Sequence, residues 1–258
     1  MPNRITKLFS EKSNNILSIY FTAGYPQLEN TVPMLEAIQD AGASLVEIGM
    51  PFSDPLADGP VIQESSMTAI KGGMSIPKLF EQLKDIRKTV HIPLVLMGYI
   101  NPVMQYGVEK FAQKASEIGI DGVILPDLPL QEYLEEYKAI FEKYNLKNIF
   151  LITPQTSDER VRYIDSCTDG FIYMVSSAST TGTKEGTADS QIGYFDRINS
   201  LGLKNPRVIG FGIKDKASFQ KACQYATGAI IGSAFVQAVS TTNPVEDGAR
   251  FIKSVLAE

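Results

Sequence analysis

Ser44 to Met50, SLVEIGM, is an apolar run short enough for one strand, carries a single carboxylate at Glu47, and passes directly into the turn-rich PFSDPLADGP of Pro51 to Pro60. Runs of Ile, Val, Leu and aromatics bounded by turn residues mark strands buried on both faces. Seven more such runs lie outward from this one: LSIYF (Leu17 to Phe21), PLVLM (Pro93 to Met97), GVIL (Gly122 to Leu125), NIFLI (Asn148 to Ile152), GFIYMV (Gly170 to Val175), RVIGF (Arg207 to Phe211) and GAII (Gly228 to Ile231). Between them the apolar spacing turns helical, as in Leu79, Phe80, Leu83 and Ile86, or Val108, Phe111, Ala112, Ala115 and Ile118. The same period recurs at Leu134, Tyr137 and Phe141 and at Phe251, Ile252, Val255 and Leu256. Ser75 ahead of Pro77, Asp215 after GFGIK, and Thr156 with Glu159 read as helix starts.

Eight strand-helix alternations with continuously apolar strands predict an α/β chain folded as a single (β/α)8 TIM barrel, one catalytic domain over residues 1–258. The competing architecture is a doubly wound open sheet. At 258 residues, with 44% hydrophobic and 21% charged residues, the chain has the composition of a soluble globular protein with one large core. Its 24 basic and 29 acidic side chains leave a net charge of −5, so no general positive field exists to hold a nucleic acid. Cys167 and Cys223 lie far apart and His91 is the one histidine, which removes the usual ligands of zinc. His91 precedes the third strand, on the face of a barrel that serves stability. The polar N-terminal stretch and the lack of an apolar window of about 18 residues predict a cytoplasmic protein with reduced thiols.

Two connections are long for βα loops, and both follow a strand's C-terminal end, where such barrels carry their chemistry: GMPFSDPLADGPVIQESSMTAIKGG and SSASTTGTKEGTADSQ. Strand alternation puts Leu45, Glu47 and Gly49 on one face and Val46 and Ile48 on the other. One phase directs Glu47 into the barrel, where an apolar setting raises its pKa toward neutrality. The alternative is a carboxylate satisfied by a basic neighbour, yet the other runs hold no Lys or Arg beyond the flanking Arg207. Asp54 and Asp58 sit nearby in turn-forming DP and DG pairs, and spacing does not choose between them.

Separately, GFGIK (Gly210 to Lys214) and GSA (Gly232 to Ala234) follow the seventh and eighth strands, where backbone amides and a helix N-terminus suit a phosphate, with Gly182 of STTGT able to close over it. No strand offers a Schiff-base lysine. Acid/base chemistry on a phosphorylated small molecule remains.

The segment VEIGMPFSDPLADGPVIQ, preceded by YFTAGYP and followed by GVILPDLP, GFIYMVS, GFGIK and GSAFV, resembles the tryptophan synthase alpha chain family over essentially the whole length. The resemblance implies a lyase that cleaves indole-3-glycerol phosphate to indole and glyceraldehyde 3-phosphate without a cofactor of its own. It implies Glu47 as acid/base, Asp58 as the second carboxylate, Tyr173 beside the glycerol chain, and Gly182, Gly212, Gly232 and Ser233 as the phosphate cradle. It sets Tyr20, Met97, Ile124, Asp127, Phe211 and Ile230 around the indole, with Thr181 meeting the aspartate on loop closure. It further implies a beta-chain partner holding pyridoxal phosphate, in an alpha2beta2 hetero-tetramer contacted near the Pro51 to Pro60 loop and the sixth loop. Ser177 and Ser179 depart from the arginine and glycine that many relatives carry, which bears on closure rather than bond breaking. A phosphosugar isomerase and a catalytically dead barrel that activates a partner are the other readings; the joint presence of Glu47 and Asp58 speaks against the dead barrel.

Overall fold

The computed structural model of the chain describes residues 2–176, 188–210, 212–239 and 241–257. Each apolar run forms a strand: β1 (Ile16–Thr22), β2 (Leu45–Gly49), β3 (Leu94–Met97), β4 (Gly122–Ile124), β5 (Lys147–Ile152), β6 (Ile172–Val175), β7 (Arg207–Gly210) and β8 (Gly228–Ile231). All neighbours are parallel, and β8 returns to β1 with Ile16 opposite Gly228 and Ile19 opposite Ile231. That last pairing closes the barrel and excludes the open sheet.

The helices are α1 (Arg4–Glu11), α2 (Thr31–Asp40), α3 (Pro60–Lys71), α4 (Ile76–Leu83), α5 (Ile100–Tyr106), α6 (Val108–Ile118), α7 (Leu130–Glu132), α8 (Lys138–Lys143), α9 (Asp158–Cys167), α10 (Ala188–Ser200), α11 (Lys216–Cys223), α12 (Ser233–Ala238) and α13 (Pro244–Leu256). Ser75 caps α4 by accepting from the Lys78 N–H, and Asp215 caps α11 in a reciprocal box with Ser218. The start of α9 differs from expectation. Ser157 is its cap, while Thr156 turns back and accepts the Thr153 N–H at 2.9 Å, closing the turn after β5. The long segment after β2 also differs, because twelve of its residues wind into α3, with Pro60 in the first turn where its missing N–H costs nothing.

The pleat sorts side chains into two layers. Val46 and Ile48, Leu94 and Leu96, and Ile209 and Ile231 face the helices, whereas Leu45, Val95, Ile124, Ile149, Val208 and Ile230 fill the barrel interior. Its N-terminal end is plugged by α1: Ile5 is fully buried among the interior residues and Phe9 packs on Phe171 at 5.6 Å. Asp121, just before β4, ties that end together. It accepts from Arg4 Nη1 at 3.1 Å, Arg87 Nη2 at 2.6 Å and the Leu94 N–H at 3.0 Å, while Asn3 Nδ2 donates to its carbonyl at 2.7 Å. His91 lies exposed on the same end, its backbone N–H donating to Gln39.

Removing one partner of a buried ionic group leaves the other charge uncompensated. Asp121→Ala is therefore expected to lower unfolding free energy by about 3 kcal/mol, read from denaturant midpoints. A loss within about 0.5 kcal/mol, the range of an ordinary surface substitution, would contradict this network's role.

Candidate functional site

Glu47 occupies the inward phase of β2, opposite Tyr20 of β1 and Val95 of β3, and is fully buried. Its Oε1 accepts from Ser18 Oγ at 2.9 Å; its Oε2 has no hydrogen-bond partner among the described residues. No described cation pairs with it, so burial dominates and pushes the carboxyl up to about 8, with the Ser18 hydroxyl pulling weakly the other way. Near neutrality this side chain is an acid holding its proton.

The loop after β2 brings in a second carboxylate in a different setting. Asp58 Oδ2 accepts from the Tyr99 hydroxyl at 3.0 Å, and the same hydroxyl accepts the Ala57 N–H at 3.0 Å. Gln63 of α3 holds the loop's shape by donating to the Asp58 carbonyl at 2.8 Å. Partial burial raises Asp58 to about 6 against the opposing Tyr99 hydrogen bond, so it is mostly ionised at neutral pH. Asp54 is exposed; its carboxylate accepts from its neighbour Ser53 and its carbonyl from the Leu56 N–H at 2.9 Å, a local turn. Spacing leaves the two aspartates open; Asp58, the one that the family resemblance implies, is the one bonded to Tyr99 and lining the cavity at the barrel mouth.

A cavity of about 220 Å³ opens at the C-terminal end of the strands. Tyr20, Met97, Tyr173 and Ile230 form its floor, Asp58 and Ile62 one side, and Gly212, Lys214, Gly232 and Ser233 another. The two tyrosines lie low because their hydroxyls fill the space over glycines. A Cβ on Gly49 would stand 2.2 Å from the Tyr20 oxygen, and one on Gly210 would stand 2.2 Å from that of Tyr173. Burial raises both phenols, and the charges of Glu47 and Asp58 raise them further.

Of the residues expected at the site, Tyr20, Asp58, Met97, Tyr173, Gly212, Ile230, Gly232 and Ser233 line this cavity. Glu47 does not; it lies enclosed in the barrel interior, near enough to both floor tyrosines for its charge to act on their phenols. Ile124 is wholly buried in the interior, paired with Met97, and does not reach the cavity wall. Asp127 is exposed and bound elsewhere, both carboxylate oxygens accepting the Ile100 N–H at the start of α5 (3.0 and 3.2 Å). Thr181, Gly182, Phe211, Ser177 and Ser179 lie outside the described residues. Ser18, Tyr99 and Lys214 were not singled out from the sequence. Ser18 is the one serine inside LSIYF, Tyr99 follows β3, and Lys214 ends GFGIK.

Comparison with known proteins decides the family. The sequence model of the tryptophan synthase alpha chain matches residues 6–255. The chain belongs to the tryptophan synthase alpha chain family. An alpha chain from Flavobacterium johnsoniae is 59% identical over 92% of this chain and 94% of its own length, and one from Christiangramia forsetii is 55% identical over 99% of each. Among solved structures, the alpha subunit from Legionella pneumophila superposes with a TM-score of 0.89 at 33% identity, covering 99% of this chain and 97% of that one. Tryptophan synthase from M. tuberculosis gives 0.88 at 28% identity, covering 100% and 98%. As a tryptophan synthase alpha chain, the protein is a carbon-carbon lyase of tryptophan biosynthesis.

The raised pKa of Glu47 fixes the sign of a pH effect on folding. The buried neutral acid contributes stability that is complete below the unfolded value of 4.5 and is lost as pH rises through about 8. Glu47→Gln keeps the shape and cannot ionise, so its stability relative to the parent should grow by on the order of a few kcal/mol between roughly pH 5 and pH 9. Denaturant midpoints for the two chains across that range measure it, and parallel curves would contradict the assignment.

Proposed function

We propose that the cavity receives indole-3-glycerol phosphate with its phosphate at the β7 and β8 loops and its indole toward β2, and that Glu47 and Asp58 divide the acid/base work. The carrying observation is a pair of carboxyls in contrasting settings, Glu47 enclosed on β2 and raised to about 8, Asp58 on the loop after β2, bonded to Tyr99 and raised only to about 6, one neutral and one mostly ionised at pH 7. Cleaving the bond from indole C3 to the glycerol chain needs an electron sink that the aromatic ring lacks. Protonation of C3 by Glu47 creates it as an iminium. The ionised Asp58 accepts the indole N–H and stabilises that positive charge. The glycerol hydroxyl on the reacting carbon then gives up its proton to the Glu47 carboxylate, its oxygen becomes the aldehyde, and the C–C electron pair returns to the ring. One proton leaves Glu47 and one comes back, and the products are indole and glyceraldehyde 3-phosphate.

Tyr20 and Tyr173 line the cavity while Glu47 is enclosed below it, so the indole meets the acid between the phenols, and Tyr173 borders the glycerol chain. Ile124, behind Met97, supports the pocket wall without touching its surface; Asp127 acts through α5 and Tyr99. The family resemblance assigns Thr181 to meeting Asp58, Phe211 to the indole, and Gly182 with Gly212, Gly232 and Ser233 to the phosphate, bound by backbone N–H groups and the serine hydroxyl. The Gly212 φ of +76° is a conformation that a side chain would strain.

All of this belongs to one catalytic domain, residues 1–258, that uses no cofactor of its own. Its partner is a beta chain bearing pyridoxal phosphate, joined in an alpha2beta2 assembly that receives the indole. Leu56, 87% exposed at the tip of the Pro51 to Pro60 loop beside the cavity, supports that loop as the contact. No described helix is long and apolar enough to cross a membrane, which agrees with a cytoplasmic site of action.

Indole release should follow a bell-shaped kcat/KM profile with limbs near pH 6 and pH 8, from Asp58 and Glu47. Asp58→Asn and Glu47→Gln are each expected to lower kcat by about 100-fold or more. A merely halved rate in either variant would contradict its role.

A further inference from the structure

Phosphate monoesters carry about −1.5 to −2 charge at pH 7, and the cavity already holds the ionised Asp58 on one side. Backbone N–H groups supply only partial charges. Among the described residues lining the cavity, Lys214 is the single cation. It forms no ion pair with any described residue, and its neighbour Asp215 is engaged by Ser218, whose N–H and hydroxyl donate to the carboxylate at 2.8 and 2.7 Å. The Lys214 backbone is anchored as well, its N–H donating to Ser218 Oγ at 3.0 Å, so its stem starts from the fixed entrance to α11. The lining is thus polarised, with Asp58 just ahead of α3 and Lys214 in the loop after β7 that also contributes Gly212.

We propose that Lys214 is a specificity-determining residue that supplies the full positive charge for the phosphate and thereby orients the substrate, phosphate at β7 and β8 and ring toward Asp58. The proposal rests on the reading of the cavity's phosphate end given above. The ammonium acts on the tail and not on the reacting carbon, so its contribution belongs to binding. It selects an anionic tail over a neutral one and is screened by salt, because the side chain is exposed.

The test compares the full-length chain with Lys214→Met, Lys214→Arg and Gly212→Val, using glycerol 3-phosphate and indole as probes in calorimetry and indole release for kinetics. Lys214→Met is expected to weaken glycerol 3-phosphate roughly three- to tenfold, with the loss of kcat/KM carried by KM. Lys214→Arg should restore most of it, indole affinity should hold, and at about 1 M salt, where screening acts within about 3 Å, the difference should shrink. Unchanged glycerol 3-phosphate affinity in Lys214→Met, with weakening in Gly212→Val, overturns the role of Lys214 and leaves the phosphate end standing. Unchanged affinity in both overturns the phosphate end as well. Equal weakening of indole and glycerol 3-phosphate in Lys214→Met would show a merely structural effect and also overturn the proposal.

Discussion

A carboxyl group enclosed in a hydrocarbon interior with no cation to neutralise it must hold its proton, and the arrangement at the barrel mouth follows from that constraint. Glu47 has one hydroxyl partner, Ser18, and one oxygen with no hydrogen bond among the described residues. An ionised form there would bear a desolvation cost of several kcal/mol. Asp58, partly wet and bonded by Tyr99, escapes most of that cost and ionises below neutrality. Two residues of the same chemistry acquire opposite protonation states because one stands on a strand inside the barrel and the other on a loop above it.

The barrel keeps stability and chemistry at opposite ends. Asp121, Arg4, Arg87 and the α1 plug close the N-terminal end, the one carboxylate bridging both arginines. The C-terminal end leaves an unpaired acid, a cavity and an exposed apolar loop tip. Such features oppose folding locally, and the closed hydrogen-bonded ring beneath them makes them tolerable.

Much of the fold was legible because strands buried on both faces leave continuous apolar runs, and every run became a strand within a residue or two of its expected ends. Glu47 was legible for the same reason, as a charge where the pattern allowed none. Local chemistry was less so. Thr156 and Ser157 are equally good caps on paper, and only the turn after β5 separates them. Asp54 and Asp58 share a turn composition, and the discriminating partner, Tyr99, lies 41 residues from Asp58. The cover of Tyr20 and Tyr173 over Glu47 depends on two inward glycines in other strands, a tertiary coincidence that no single run displays. Ile124 and Asp127, assigned by resemblance, illustrate the difference between lying near a pocket and lining it.

Infrared difference spectroscopy of the full-length chain against Glu47→Gln tests the central claim most directly, since a protonated carboxyl and a carboxylate absorb at separate frequencies. A protonated Glu47 band is expected at pH 7, disappearing with a midpoint of about 8. A Glu47 side chain already ionised at pH 7, titrating in the ordinary carboxylate range near 4.5, would contradict it.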